Sequence, residues 1–210
     1  MEKPIIAVPL KGVFIEGEAW EEAHVLWFEK REKELKSSGK NTSIIKQWKK
    51  LHETDIEKER KEYFRYVDPI MKLLFPFLSD EERTKKAREW YFQDTIEFIE
   101  NHPEYKIKEA VEIFSQLKKK YRIGLITTNT KEVTEQIIRS QGLESLFDFM
   151  QTSLPEEKDD INIVFDRFIK KYGTPRIYLG TNEQAVRYAK EKGIETASSL
   201  KELSQKLKFD

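Results

Sequence analysis

A chain of 210 residues is long enough to bury a hydrophobic core, either as one moderate domain or as a core domain with a smaller insert. It contains no cysteine, which excludes disulfide frameworks and thiolate metal sites, and its 38 basic and 38 acidic side chains cancel, which removes any long-range pull toward nucleic acid or an acidic membrane surface. No apolar run approaches the roughly 20 residues of a membrane helix, and the opening MEKPIIAVPLKG lacks the apolar stretch of a signal peptide, so the expectation is a soluble, cytoplasmic protein.

The first predicted element is a buried strand over Ile5 to Val8, apolar and largely β-branched, with Gly12 and Gly17 permitting turns after it. Helical periodicity then takes over for about eighty residues. Trp20, Ala23, Trp27 and Phe28 recur at helical spacing, and after SSGKNTS a second stripe runs through Ile44, Ile45, Trp48 and Leu51. Ser79 with Glu82 forms a capping box for a helix carrying Ala87, Trp90, Tyr91, Asp94, Phe98 and Ile99, which Asn101-His102-Pro103 ends. Residues 16–103 therefore read as an all-helical insert, whose aromatics Trp20, Trp27, Trp48, Trp90, Tyr91 and Phe92 fit packing stripes.

Beyond Pro103 helices and strands alternate. A helix runs through Val111, Phe114 and Leu117, a strand over Ile123 to Ile126, a helix over Val133 to Arg139 and a short strand over Phe147 to Met150. A helix over Ile161 to Lys171, a strand over Arg176 to Leu179, a helix over Glu183 to Lys192 ended by Gly193, and a last strand over Ile194 to Ala197 complete the chain. This alternation predicts an α/β fold: a Rossmann-like parallel sheet with helices on both faces, formed by residues 1–15 and 104–210. The lysine runs at 49–50 and 118–120 read as solvated helix faces.

In open parallel sheets ligands bind beyond the carboxyl ends of the strands. The loops that matter are Pro9-Leu10-Lys11-Gly12, Thr127-Thr128-Asn129-Thr130, Leu154 to Asp160, and Gly180-Thr181-Asn182. Those four loops in that order, with a helical insert after the first, resemble the four motifs of the haloacid dehalogenase-like (HAD) superfamily, and the likeness spans essentially the whole chain. The resemblance implies a helical cap over residues 16–103, a hydrolase-like ancestry, and a first strand ending in D-x-D-G, whose two acids serve as nucleophile and general acid/base. Here that stretch reads Pro9-Leu10-Lys11-Gly12, without either carboxylate. The second motif is matched by Thr128 and Asn129, and the third by Lys158 ahead of Tyr178-Leu179-Gly180. The fourth, commonly G-D-S-x-x-D with acids that hold Mg²⁺, reads Gly180-Thr181-Asn182-Glu183-Gln184-Ala185, followed by Ala189 and Gly193.

On the resemblance, Pro9, Lys11, Thr181 and Ala185 stand where the family has Asp. A set of four Asp and one Lys is formally −3, whereas Lys11 and Lys158 make this set +2. Mg²⁺ requires hard anionic oxygens that Pro and Lys do not supply, so no cofactor is expected at the family position. Proline has no side-chain heteroatom and no backbone donor, so covalent catalysis at residue 9 is excluded. The expectation is a pseudoenzyme that binds phosphate, another small anion or a phosphorylated metabolite through Lys11, Thr128, Asn129 and Lys158, or acts through a protein partner or a homodimer. The alternative is a divergent hydrolase, a phosphatase or a 2-haloacid dehalogenase. Bland roles also stand: Lys11 neutralising Glu16, Glu156, Glu157, Asp159 or Asp160, Thr128 capping the next helix, Lys158 as a surface lysine, and Glu183 complementing a helix dipole. His24, His52 and His102 read as scattered, with no metal partner placed near them. The Lys- and Glu-rich surface at 36% charged residues resembles proteins from hot environments, where ion-pair networks are favoured.

Overall fold

The aliphatic run Ile5–Val8 (β1) lies at the centre of a five-stranded parallel sheet and is buried along its whole length. A strand paired on both sides and covered on both faces needs apolar residues at every position instead of alternation. The computed structural model describes residues 3–154 and 160–207. In chain order β1 is followed by five helices, α1 (Glu18–Ser37), α2 (Ser43–Thr54), α3 (Ile56–Lys61), α4 (Tyr63–Leu74) and α5 (Asp80–Asn101). Then come α6 (Lys108–Leu117), β2 (Arg122–Thr130), α7 (Lys131–Ser140), β3 (Phe149–Ser153), α8 (Ile161–Tyr172), β4 (Ile177–Leu179), α9 (Glu183–Glu191), β5 (Glu195–Ala197) and α10 (Leu200–Leu207). The chain divides into two units, one of Met1–Ala19 with Ile99–Asp210 and one of Trp20–Phe98. No helix among the described residues is long and apolar enough to cross a membrane.

In the first unit the strand order is β3-β2-β1-β4-β5. The chain therefore builds outward from β1 to β3 on one side and returns to place β4 on the other, which makes the β1/β4 boundary the switch point of the sheet. Val8 pairs with Leu125 and Ala7 with Tyr178, so the carboxyl ends of β2, β1 and β4 emerge side by side. One face is filled by Phe165, Phe168, Tyr178, Val164 and Ala189. The Phe168 and Phe149 rings lie so close over Gly124 that a β-carbon there would stand 2.4 Å from one and 2.6 Å from the other. The absent side chain of Gly124 is thus a condition of the aromatic packing.

Two strands differ from the sequence expectation by more than one residue. The second runs on from Ile126 to Thr130, because its polar end pairs with β3 across an irregularity, Ile126 opposite Gln151 and Thr130 opposite Ser153. The third begins at Phe149 rather than Phe147. Phe147 is spent on the core, edge-on to Phe14 at 5.2 Å, and the Asp148 carboxylate accepts the Ile123 N–H at 2.7 Å before regular pairing begins. The final helix α10 buries Leu203 and Leu207 and was not anticipated.

The second unit is helical throughout and centres on Trp27, Phe28, Trp48, Tyr66, Ile70 and Met71. Phe28 stacks on Trp48 with centroids 3.7 Å apart. Arg31 is 4% exposed and lies over the Trp90 ring at 4.1 Å, with Asp94 as an ionic partner at 3.7 Å. Ser79 and Glu82 form their reciprocal capping box, the Ser79 N–H donating to Glu82 at 2.7 Å and the Glu82 N–H to Ser79 at 3.2 Å. Helix α4 contains Pro69, which cannot donate to the carbonyl one turn back. Pro69 and Arg65 are both exposed, so water can take the place of that hydrogen bond, while Tyr66, Val67, Ile70 and Met71 bury the opposite face.

Candidate functional site

At the switch point the chain leaves β1 in a tight turn. The Leu10 carbonyl accepts the N–H groups of Val13, Phe14 and Ile15 at 3.3, 3.0 and 3.2 Å, and the Gly12 N–H donates to the Ile15 carbonyl at 2.7 Å. Gly12 takes φ +76°, a left-handed conformation that glycine adopts without strain. The turn leaves Pro9 half-buried, Leu10 buried and Lys11 exposed. Thr181, in the loop after β4, brings its hydroxyl to 3.4 Å from where a Gly12 β-carbon would stand, so the first and fourth loops meet here.

Beside them, β2 ends in the irregular stretch Thr127 to Asn129, whose backbone turns with the Asn129 N–H donating to the Thr127 hydroxyl at 3.2 Å. Such bulges re-aim side chains at sheet edges and next to active sites. Thr130 stands at the N-cap of α7 without a side-chain cap, so Thr128 does not cap that helix. Among the described residues the side chains of Thr128, Asn129 and Thr181 form no hydrogen bond.

The fourth loop spends its polar groups differently. The Asn182 side chain accepts the Ala185 N–H at 2.9 Å and caps α9, and Glu183 is exposed in the first turn of that helix. Ala185 is 1% exposed among Phe165, Tyr178 and Ala189. Position 185 is thus occupied by packing and offers no ligand. Burial pushes the Tyr178 phenol well above its ordinary range, so it stays neutral in this cluster. Asp160 accepts the Asn162 N–H at 2.9 Å as the cap of α8. Lys158, with Glu156, Glu157 and Asp159, lies outside the described residues.

One expectation is corrected. His24 and His52 are not scattered: both meet the carboxylate of Glu59, a residue the sequence reading passed over. His24 Nε2 stands 3.0 Å from Glu59 Oε1, His52 Nδ1 stands 3.6 Å from Oε2, and the Trp48 indole N–H donates to Oε1 at 2.7 Å. Glu59 is fully buried. Its burial works to raise the carboxyl, but the hydrogen bonds and positive partners at His24, Trp48 and His52 outweigh it and hold the group below the ordinary carboxylate range. The sequence carries no spacing signal for this meeting, since the three residues sit on separate helices and α3 is only six residues long. His102 pairs with Glu104 at 2.7 Å.

Residues 38–198 match the family model of haloacid dehalogenase-like hydrolases. No curated protein is significantly similar to the chain in sequence. Solved structures share its fold at low identity. A HAD phosphatase from Thermococcus onnurineus is 17% identical with a TM-score of 0.60 over 98% of both chains. The HAD-hydrolase YfnB from Bacillus subtilis, solved bound to magnesium, is 14% identical with a TM-score of 0.59 over 99% of this chain and 100% of its own. A 2-haloacid dehalogenase from Pseudomonas syringae is 15% identical with a TM-score of 0.55 over 93% of this chain and 85% of its own.

Proposed function

The chain belongs to the haloacid dehalogenase-like hydrolase family, and we propose that the loops at its sheet switch point bind a small anion, phosphate or a phosphorylated metabolite, in place of catalysing metal-assisted hydrolysis. The observation that supports this reading is the turn Pro9-Leu10-Lys11-Gly12 at the switch point, which on the resemblance reads proline and lysine where the family pattern has its two working carboxylates. Proline offers no nucleophile, and losing one member of a catalytic unit costs on the order of 10⁴-fold in rate.

The donor set also does not fit Mg²⁺. Pro9 has no side-chain oxygen, Ala185 is packed among aromatics, and the Asn182 oxygen is taken by its own helix. Among the described residues at these positions an octahedral hard cation finds too few anionic oxygens. An anion would meet Lys11 and the uncommitted Thr128, Asn129 and Thr181 side chains, a set of charge-assisted and neutral donors, and the resemblance in sequence adds Lys158 to it.

The test is a thermal-shift titration with phosphate and sulfate against chloride at matched ionic strength, run beside a phosphatase and dehalogenase panel with Mg²⁺. Phosphate should raise the melting temperature, since a ligand at 100 times its Kd adds about 2.7 kcal/mol, and Lys11→Ala with Lys158→Ala should abolish the shift. Turnover in the panel would establish the second reading, a divergent hydrolase, which the phosphatase and dehalogenase folds among the neighbours favour. No shift beyond chloride and no turnover would leave a role in protein contacts.

A further inference from the structure

Three helices of the Trp20–Phe98 unit converge on one buried polar cluster: His24 from α1, His52 from α2 and Glu59 from α3. Their ligand atoms all lie within 4.8 Å of one another. The His24 and His52 side chains are 12% and 20% exposed and that of Glu59 0%. We propose that these residues form a binding site for a divalent transition metal of the zinc class, one that ties α1, α2 and α3 together.

The first argument is an imbalance. Among the described residues, Glu59 Oε2 and His52 Nδ1 are buried without a hydrogen-bond partner. Buried polar atoms are almost always paired, because an unpaired one forfeits its hydration without return. These two face each other at 3.6 Å, too far for one to hydrogen-bond the other directly. With His52 neutral each presents an electron pair, and a cation between them would satisfy both. Two zinc bonds of about 2.1 Å, meeting at an angle somewhat wider than tetrahedral, span that 3.6 Å separation.

The second argument is the donor set. Two imidazoles and one carboxylate suit zinc in sites that keep a fourth position open, and nitrogen ligands select zinc, cobalt or nickel over magnesium or calcium. The partial exposure of both histidines provides a route for the ion and for a water at the fourth position. The third argument is orientation. The Trp48 N–H holds Glu59 Oε1, which directs Oε2 toward His52, and the His52 ring stacks on Trp48 with centroids 5.1 Å apart. Such outer contacts fix a ligand before the metal arrives and are worth 10- to 100-fold in affinity. In a chain without cysteine this centre would be a non-covalent staple for a helical unit.

The experiment is isothermal titration of ZnCl₂ into the chelator-free full chain, with Co²⁺ absorption and zinc-edge X-ray absorption on the loaded protein. One Zn²⁺ per chain, tetrahedral Co²⁺ bands and two imidazole ligands are expected, with a rise in melting temperature that MgCl₂ does not give. His52→Ala and Glu59→Gln should each weaken zinc binding at least tenfold, and His102→Ala should leave it unchanged. Should a variant fail to fold, the X-ray absorption of the wild type still decides, because it reports the ligands directly. Absence of stoichiometric binding, a site with fewer than two imidazoles, or undiminished binding in both folded ligand variants would overturn the proposal and leave a buried ion pair.

Discussion

The Thr181 hydroxyl lies 3.4 Å from the position a β-carbon on Gly12 would take, so the loops after β1 and β4 are in contact at the switch point of the sheet. Gly12 stands there with φ +76°, and its N–H is held by the Ile15 carbonyl at 2.7 Å. A side chain at residue 12 meets a left-handed backbone penalty of about 1–2 kcal/mol. Gly12→Ala should therefore lower unfolding free energy by about that amount, read as a shift of the urea midpoint. An unchanged midpoint would show that the turn relaxes freely.

A larger effect is expected inside the sheet. The Phe168 and Phe149 rings occupy the space of a Gly124 side chain, and overpacking of this kind costs about 1–3 kcal/mol. Gly124→Ala should destabilise by that amount, and Phe168→Leu should cost less in the Gly124→Ala background than alone. Additive effects in the double-mutant cycle would mean that the two sites do not share the strain.

Acid should act through Glu202. The Ser198 N–H and hydroxyl bond its carboxylate at 2.8 and 2.7 Å, Lys206 assists, and the carboxyl is pulled down to about 2. The folded value lies below the unfolded value of about 4.3, so the contribution is complete above the unfolded value and is lost as pH falls toward the folded one. The stability difference between wild type and Glu202→Gln should be constant at neutral pH and shrink between about pH 4.5 and 2. A difference independent of pH would assign the effect to the shape of the side chain.

Magnesium should add nothing to the wild type beyond a sodium control of equal ionic strength, because the Pro9 and Ala185 side chains supply no oxygen and Asn182 caps α9. Differential scanning calorimetry checks this. A magnesium-specific rise would require ligands from other residues and would favour the hydrolase reading.

Local pattern determined most of the architecture. The unbroken aliphatic run at Ile5–Val8 announced a strand buried on both faces, the alternation after Pro103 announced parallel crossover units, and Ser79 with Glu82 announced a helix start that forms as written. Each depends on neighbours a few residues apart, which is why it is legible in one dimension. The loops of the candidate site were legible as positions, since strand ends locate them, and the residues at Pro9, Lys11, Thr128, Asn129 and Thr181 needed no structure to be named.

Tertiary structure decided what those patterns could not carry. The polar end of β2 stays in the sheet as far as Thr130 because a neighbouring strand completes its hydrogen bonds, and α4 persists through Pro69 because the freed carbonyl is on an exposed face. The meeting of His24, His52 and Glu59 depends on how three separate helices pack around Trp48. No spacing along the chain encodes that convergence, because each helix contributes a single polar residue to it and the geometry comes from the apolar contacts that dock the helices together.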